Sequence, residues 1–141
     1  MPHEEPYDPN IATDPIRDWY VNTIWGNQIY DDNSLFEVMS LQVFQAGLTW
    51  KMILNKRDEF RSAFYNWNIQ KVAACGPPEI ARLCQNPGII RNRLKIKATI
   101  SNSQHFLDIQ KEFGSFDSFI WQFTDGKTII NKWETTDDIP V

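Results

Sequence analysis

The string Asn86-Pro87-Gly88-Ile89-Ile90-Arg91-Asn92-Arg93-Leu94-Lys95-Ile96 ends one helical pattern and starts another within a few residues. Proline lacks the amide that a helix interior needs, and glycine loses the most entropy there, so no single helix runs through it. The chain is expected to fold back as helix, hairpin (residues 86–93) and helix. Gly88 would free backbone N–H groups to face an anion at the start of the second helix. Charge points the same way. Residues 80–107 carry Arg82, Arg91, Arg93, Lys95 and Lys97 and no carboxylate, in a chain of net charge −4. A local reversal of sign is the footprint of a surface that meets phosphate. The same run also fits an ordinary helix–turn–helix with a solvated cationic face.

Six Trp and nine Phe among 141 residues are enough for a well-filled core, which excludes a disordered chain. The expected organisation is a loose arm over residues 1–12, rich in proline and acid, and one helical domain over 13–141. No apolar run is long enough to span a bilayer, and the acidic N-terminus is unlike a signal peptide. A cytoplasmic protein with no membrane partner is expected. Cys75 and Cys84, with eight residues between them, match no metal knuckle and read as inert thiols.

Punctuation along the chain predicts an all-α body. Asp14-Pro15 starts a helix that Gly26 ends. Ser34-Leu35-Phe36-Glu37 has the form of a capping box opening a helix to about Gln45, with Leu35, Val38, Met39 and Leu41 as its buried stripe and Ala46-Gly47 closing it. Thr49 caps a helix carrying Met52, Ile53, Phe60, Ala63 and Phe64. Asn68 caps a short one to about Ala74, and Pro77 or Pro78 starts the next. A long helix follows from about Arg91 to Phe113, then Gly114, then Ser115 to Phe123. Asp125-Gly126 reads as a turn between short β-prone runs, Thr128-Ile129-Ile130 being the clearer, in a short irregular tail.

Residues 35–50, LFEVMSLQVFQAGLTW, resemble the signature helix of the type I DNA-3-methyladenine glycosylases, with Gln45-Ala46-Gly47-Leu48-Thr49-Trp50 the most specific part. Lys56-Arg57 with Phe60 and Phe64, then Gly88-Ile89-Ile90-Arg91-Asn92-Arg93 with Lys95-Ile96, and finally Phe119-Ile120-Trp121-Gln122-Phe123 continue the match in order. The resemblance implies a helical bundle of the helix–hairpin–helix glycosylase type. Such a protein works in base excision repair, flipping an alkylated purine out of double-stranded DNA and hydrolysing its N-glycosidic bond. It assigns phosphate binding to the hairpin, through Gly88, Ile90, Arg91, Arg93 and Lys95. Tyr20, Trp25, Gln45 and Trp50 match the base pocket, although a core role is open to each aromatic ring. Leu48 is placed either to wedge into the base stack or to pack between two helices.

The sequence departs from this family in four ways. Gln42 stands where the family has its Glu, and an amide can neither carry negative charge nor act as a base. Activity is therefore expected to be reduced, and a non-catalytic lesion-binding relative is the alternative. Restoring Glu at position 42, expected to point into the pocket beside Trp50, should raise activity. Glu37 lies about 140° round the helix from Gln42 and reads as a capping residue rather than a substitute. The family zinc site is missing: Val21 holds a His position, no Cys precedes Cys75, and His3 and His105 cannot rebuild a tetrahedral set, so no cofactor is expected. The chain stops at Val141 where relatives continue, and pairing into a homodimer would cover exposed aromatic surface. Its net acidity argues against tight non-specific DNA binding.

Overall fold

The computed structural model of the chain describes residues 14–140, so the expected arm over residues 1–12 lies outside the described residues. These form eight α-helices and no strand: α1 (Pro15–Thr23), α2 (Asp32–Gln45), α3 (Trp50–Asn55), α4 (Arg57–Ala63), α5 (Ile69–Ala73), α6 (Pro77–Gln85), α7 (Arg93–Phe113) and α8 (Phe116–Trp121). Single 3₁₀ turns occupy Tyr65–Trp67, Gln122–Thr124 and Thr136–Asp138. The all-α expectation holds.

Most boundaries follow side chains that satisfy the orphan amides of a first turn. Asp14 accepts from the Ile16 amide at 3.2 Å, Thr49 from Met52 at 3.3 Å, and Asn68 from Lys71 at 3.0 Å. Asn92 accepts from Lys95 at 3.0 Å, which starts α7 at Arg93 rather than Arg91. The expected capping box at Ser34–Glu37 does not form. Asp31, one turn earlier, takes both the amide and the hydroxyl of Ser34 at 2.8 Å, and α2 begins there. The helix expected after Thr49 divides at Lys56, whose amide bonds back to Ile53 in a tightened last turn at 3.0 Å. Met52 is thereby left exposed instead of joining the core. Gly114, at φ +85°, stops α7. Asp125 and Gly126 form the expected turn, both at positive φ, but Thr128-Ile129-Ile130 is irregular and its isoleucines lie exposed. A lone β-prone run without a partner gains nothing by extending.

Aromatic stacking ties the short helices to the long one. Phe44, Phe60, Phe64 and Trp67 are fully buried in one run, with Phe64 and Trp67 parallel at 5.0 Å. Phe36 meets both Trp67 and Phe106 edge-on, and Phe106 stacks on Phe116 at 3.9 Å. Ile96, Thr99, Ile100, Ser103 and Phe106 make α7 the spine of this core. The buried face of α2 is Phe36, Ser40, Leu41 and Phe44; of the expected stripe Leu41 is buried, Leu35 and Met39 pack half-buried at the edge of the core, and Val38 does not join it. Residues four apart share one face, and the larger aromatic stripe wins it. Cys75 and Cys84 are free thiols, each half-buried.

Candidate nucleic-acid interface and aromatic cavity

Two stripes run along α2. While Phe36, Ser40 and Phe44 face the core, Ser34, Glu37, Val38 and Leu41 recur at i, i+3, i+4, i+7 and face a cavity of about 370 Å³. Trp19 and Tyr20 on α1, Tyr30 and Trp50 complete its aromatic lining. Tyr20 lies edge-on to Trp50, centroids 5.2 Å apart, and burial pushes its phenol above the ordinary value. Like any ordinary phenol, it is protonated at neutral pH. Glu37 is held bidentately by Arg61, at 2.7 Å to Nε and 3.3 Å to the terminal nitrogen, and this pair raises the Arg61 guanidinium above its usual value. Glu37 is therefore an ion-paired wall of the cavity, not a capping residue. The guanidinium of Arg57 sits 4.6 Å over the Trp19 ring. Trp121 fixes the near rim: its indole N–H donates to the Ile29 carbonyl at 3.0 Å while its ring stacks on Tyr30 at 4.8 Å.

The expected pocket residues divide. Tyr20 and Trp50 line the cavity together. Trp25 is 66% exposed, 6.4 Å from Tyr20 and outside the cavity lining. Gln42 is exposed and also outside it, rather than pointing in beside Trp50. Its exposure follows from spacing, since position 42 is about 200° round the helix from both Ser40 and Phe44; it follows Val38 by four residues, but the cavity lining on α2 ends at Leu41. Gln45 is engaged in the turn after α2, its amide donating to the Leu48 carbonyl at 2.8 Å. Leu48 donates its own N–H back to the Gln45 carbonyl at 2.7 Å, and its side chain packs partly against the core. Gly47 takes φ +79° there.

Around the hairpin, Arg91, Arg93 and Lys97 are exposed, and Leu94 is 78% exposed among them. The Gly88 amide donates to Asn86 Oδ1 at 2.8 Å, so this N–H is engaged within the hairpin rather than free for an anion. The Glu59 carboxylate lies close over Gly88, where a Cβ would stand 2.6 Å from Oε2 and displace that exposed side chain. Ile89 is buried and Ile90 packs at the edge of the core, which anchors the hairpin. Lys95 points inward: its ammonium donates to the carbonyls of Phe44 at 2.9 Å and Ala46 at 2.6 Å. Sequence reasoning missed Glu37, Trp19, Tyr30 and Arg61. The 34/37/38/41 spacing was the available signal for Glu37.

Among the described residues no group of three His, Cys, Asp or Glu side chains is placed to hold a metal ion. No helix among them is long and apolar enough to cross a membrane.

The methyladenine glycosylase family model matches residues 10–141. DNA-3-methyladenine glycosylase 1 of Escherichia coli is 35% identical over 130 residues, which are 92% of this chain and 70% of that protein. A crystal structure of a Tyr-to-Phe mutant of 3-methyladenine DNA glycosylase I with 3-methyladenine superposes with a TM-score of 0.85 at 32% identity, over 92% of this chain and 69% of that one. A Glu-to-Gln mutant of the Staphylococcus aureus enzyme gives 0.79 at 36% identity, over 82% of this chain and 62% of that one. The chain thus spans about two thirds of the length of these relatives. With an ordered match over nearly all of its sequence and the same helical fold, the chain belongs to the methyladenine glycosylase family.

Proposed function

We propose that the protein excises N3-methylated adenine from double-stranded DNA on the bacterial nucleoid, flipping the base towards the Tyr20–Trp50 cavity and hydrolysing its N-glycosidic bond. Family membership over residues 10–141 carries this reading. The aromatic cavity supports it, because a methylated adenine is cationic and ring faces attract cations. The Tyr20 hydroxyl, protonated at neutral pH, adds a hydrogen-bonding group at the same wall. Arg91 and Arg93 hold phosphates, which orients the duplex without reading its sequence. Leu48 fills the gap that the flipped base leaves.

Gln42 replaces the family's carboxylate and lowers the rate. It cannot take a proton from water, so hydrolysis relies on positioning and on a methylated base that departs neutral. The residues present would work without a metal. Elemental analysis of purified protein should find less than stoichiometric zinc, and a chelation-resistant equivalent would refute this. Two copies pair through apolar surface such as Phe123, 70% exposed, Ile129 and Ile130. Sedimentation should give twice the chain mass, falling to one in Phe123→Asp.

The deciding assay is chromatographic release of 3-methyladenine from alkylated duplex. Release is expected from the wild type and should fall about 5- to 150-fold in Tyr20→Ala or Trp50→Ala, the loss of one stacking contact of ~1–3 kcal/mol. Tight binding of alkylated duplex with no release would favour the lesion-binding alternative, which the exposure of Gln42 supports. Neither binding nor release would end the assignment.

A further inference from the structure

We infer that Lys95 is a positioning residue that fastens the Gly47-Leu48 turn to the hairpin helix, so that phosphate binding at the hairpin sets the aim of Leu48. This rests on the DNA-binding reading above. Lys95 sits in the first turn of α7, beside the exposed Arg91 and Arg93, yet it is half-buried and its ammonium is directed at α2. It donates to Phe44 O at 2.9 Å and Ala46 O at 2.6 Å, on residues 51 and 49 positions earlier. Those carbonyls belong to the last turn and C-cap of α2, where the helix offers them no amide of its own. A cation there is also favoured by the negative end of the helix dipole. Two of the three ammonium hydrogens are therefore directed at α2.

The same short segment is tied from its other side. Gln45 donates its side-chain amide to Leu48 O at 2.8 Å, and Leu48 N–H returns to Gln45 O at 2.7 Å. Gly47, at φ +79°, lets the chain turn between them. Residues 44–48 are thus held by a lysine from the hairpin helix and a glutamine from within the turn. A side chain that enters a base stack works against an unstacking cost of about a few kcal/mol per step. A turn free to retreat would yield instead of the stack. Lys95 gives that turn a rigid backing from the element that grips the phosphates.

The test uses the whole chain and a duplex with 2-aminopurine beside an abasic site, whose fluorescence reports unstacking, with affinity measured across salt concentrations. Lys95→Met keeps the aliphatic stem and removes the donors. We expect the unstacking equilibrium to fall about tenfold, the equivalent of one hydrogen bond to a charged group. The slope of log affinity against log salt should stay at the wild-type value. Adding Lys95→Met to Leu48→Ala should lower unstacking no further than Leu48→Ala alone, because both act through one side chain. Lys95→Arg, which retains donors, should recover most of the signal. A slope smaller by about one with normal unstacking makes Lys95 a phosphate contact and overturns the inference. Additive losses in the double variant overturn it as well. If Lys95→Met does not fold, Lys95→Gln, also uncharged, decides by the same slope. Wild-type protein that neither binds nor unstacks the duplex refutes the glycosylase reading itself, an outcome distinct from a wild-type response that the Lys95 variants fail to change as stated.

Discussion

Gln45 and Lys95 have the groups a DNA site needs, and the resemblance assigns them to one. In the fold both bond to main-chain carbonyls around the end of α2, Lys95 across 49 and 51 residues of sequence. No local pattern encodes such a pairing. Tyr20 and Trp50 meet because α1 packs on α3, and their shared cavity follows. Gln42 shows how one residue's facing depends on which stripe of its helix is buried. At that exposed position a new carboxylate is worth only ~0.2–1 kcal/mol against a cationic base. Gln42→Glu is therefore expected to raise kcat/KM for 3-methyladenine release by about 1.4- to 5-fold, with no gain for neutral lesions. Unchanged release from a folded, DNA-binding variant would remove position 42 from the chemistry.

Elements were legible wherever a cap or a breaker stood at the boundary. Asp14, Thr49, Asn68 and Gly114 each begin or end a helix as their chemistry demands. The start of α2 and the division at Lys56 were not legible, because two capping groups compete at the first and no breaker marks the second. Nor was the left-handed turn at Tyr65, Asn66 and Trp67, all at φ between 53° and 59°. Such backbone costs non-glycine residues roughly 1–2 kcal/mol each, and it is offset by burying Trp67 against Phe64. Asn66→Val should accordingly destabilise the fold by about 1–2 kcal/mol in thermal unfolding, since a β-branched side chain fits that conformation worst. Helix α1 fully buries no residue; it packs through Tyr20 on Trp50, and an ion pair at its N-cap adds to that contact. Lys51, 2.9 Å from Asp14, is the main cause that holds this carboxyl below its ordinary 3.8. A lowered value means that the tie is present above the ordinary carboxylate range and is lost as pH falls through the lowered one. Protection of the α1 amides, as exchange corrected for its intrinsic pH dependence, should fall on acidification below about pH 4 in the wild type. In Lys51→Ala that protection should already be reduced at neutral pH, with no further fall on acidification. Equal exchange in the two proteins would show that the pair does not anchor α1.

At the scale of the whole molecule, the question is how an acidic protein binds a polyanion. Eighteen carboxylates outnumber fourteen Lys and Arg residues, so the average surface repels a duplex. The compensation is local: Arg91, Arg93 and Lys97 are exposed on the hairpin and the start of α7, while Lys95 faces inward. Three available cations imply about three phosphate contacts, and each releases close to one counterion. The expected slope of log affinity against log salt for undamaged duplex is then about −3, shallow for a DNA-binding protein. Weak binding follows, and it allows rapid transfer along DNA until a base that flips easily is met. Arg91→Ala or Arg93→Ala should each reduce the slope by about one and weaken binding equally on all sequences, because phosphates carry no sequence information. If both variants keep the wild-type affinity and slope, the duplex lies elsewhere on the protein, and the Leu48 turn is no longer placed beside it.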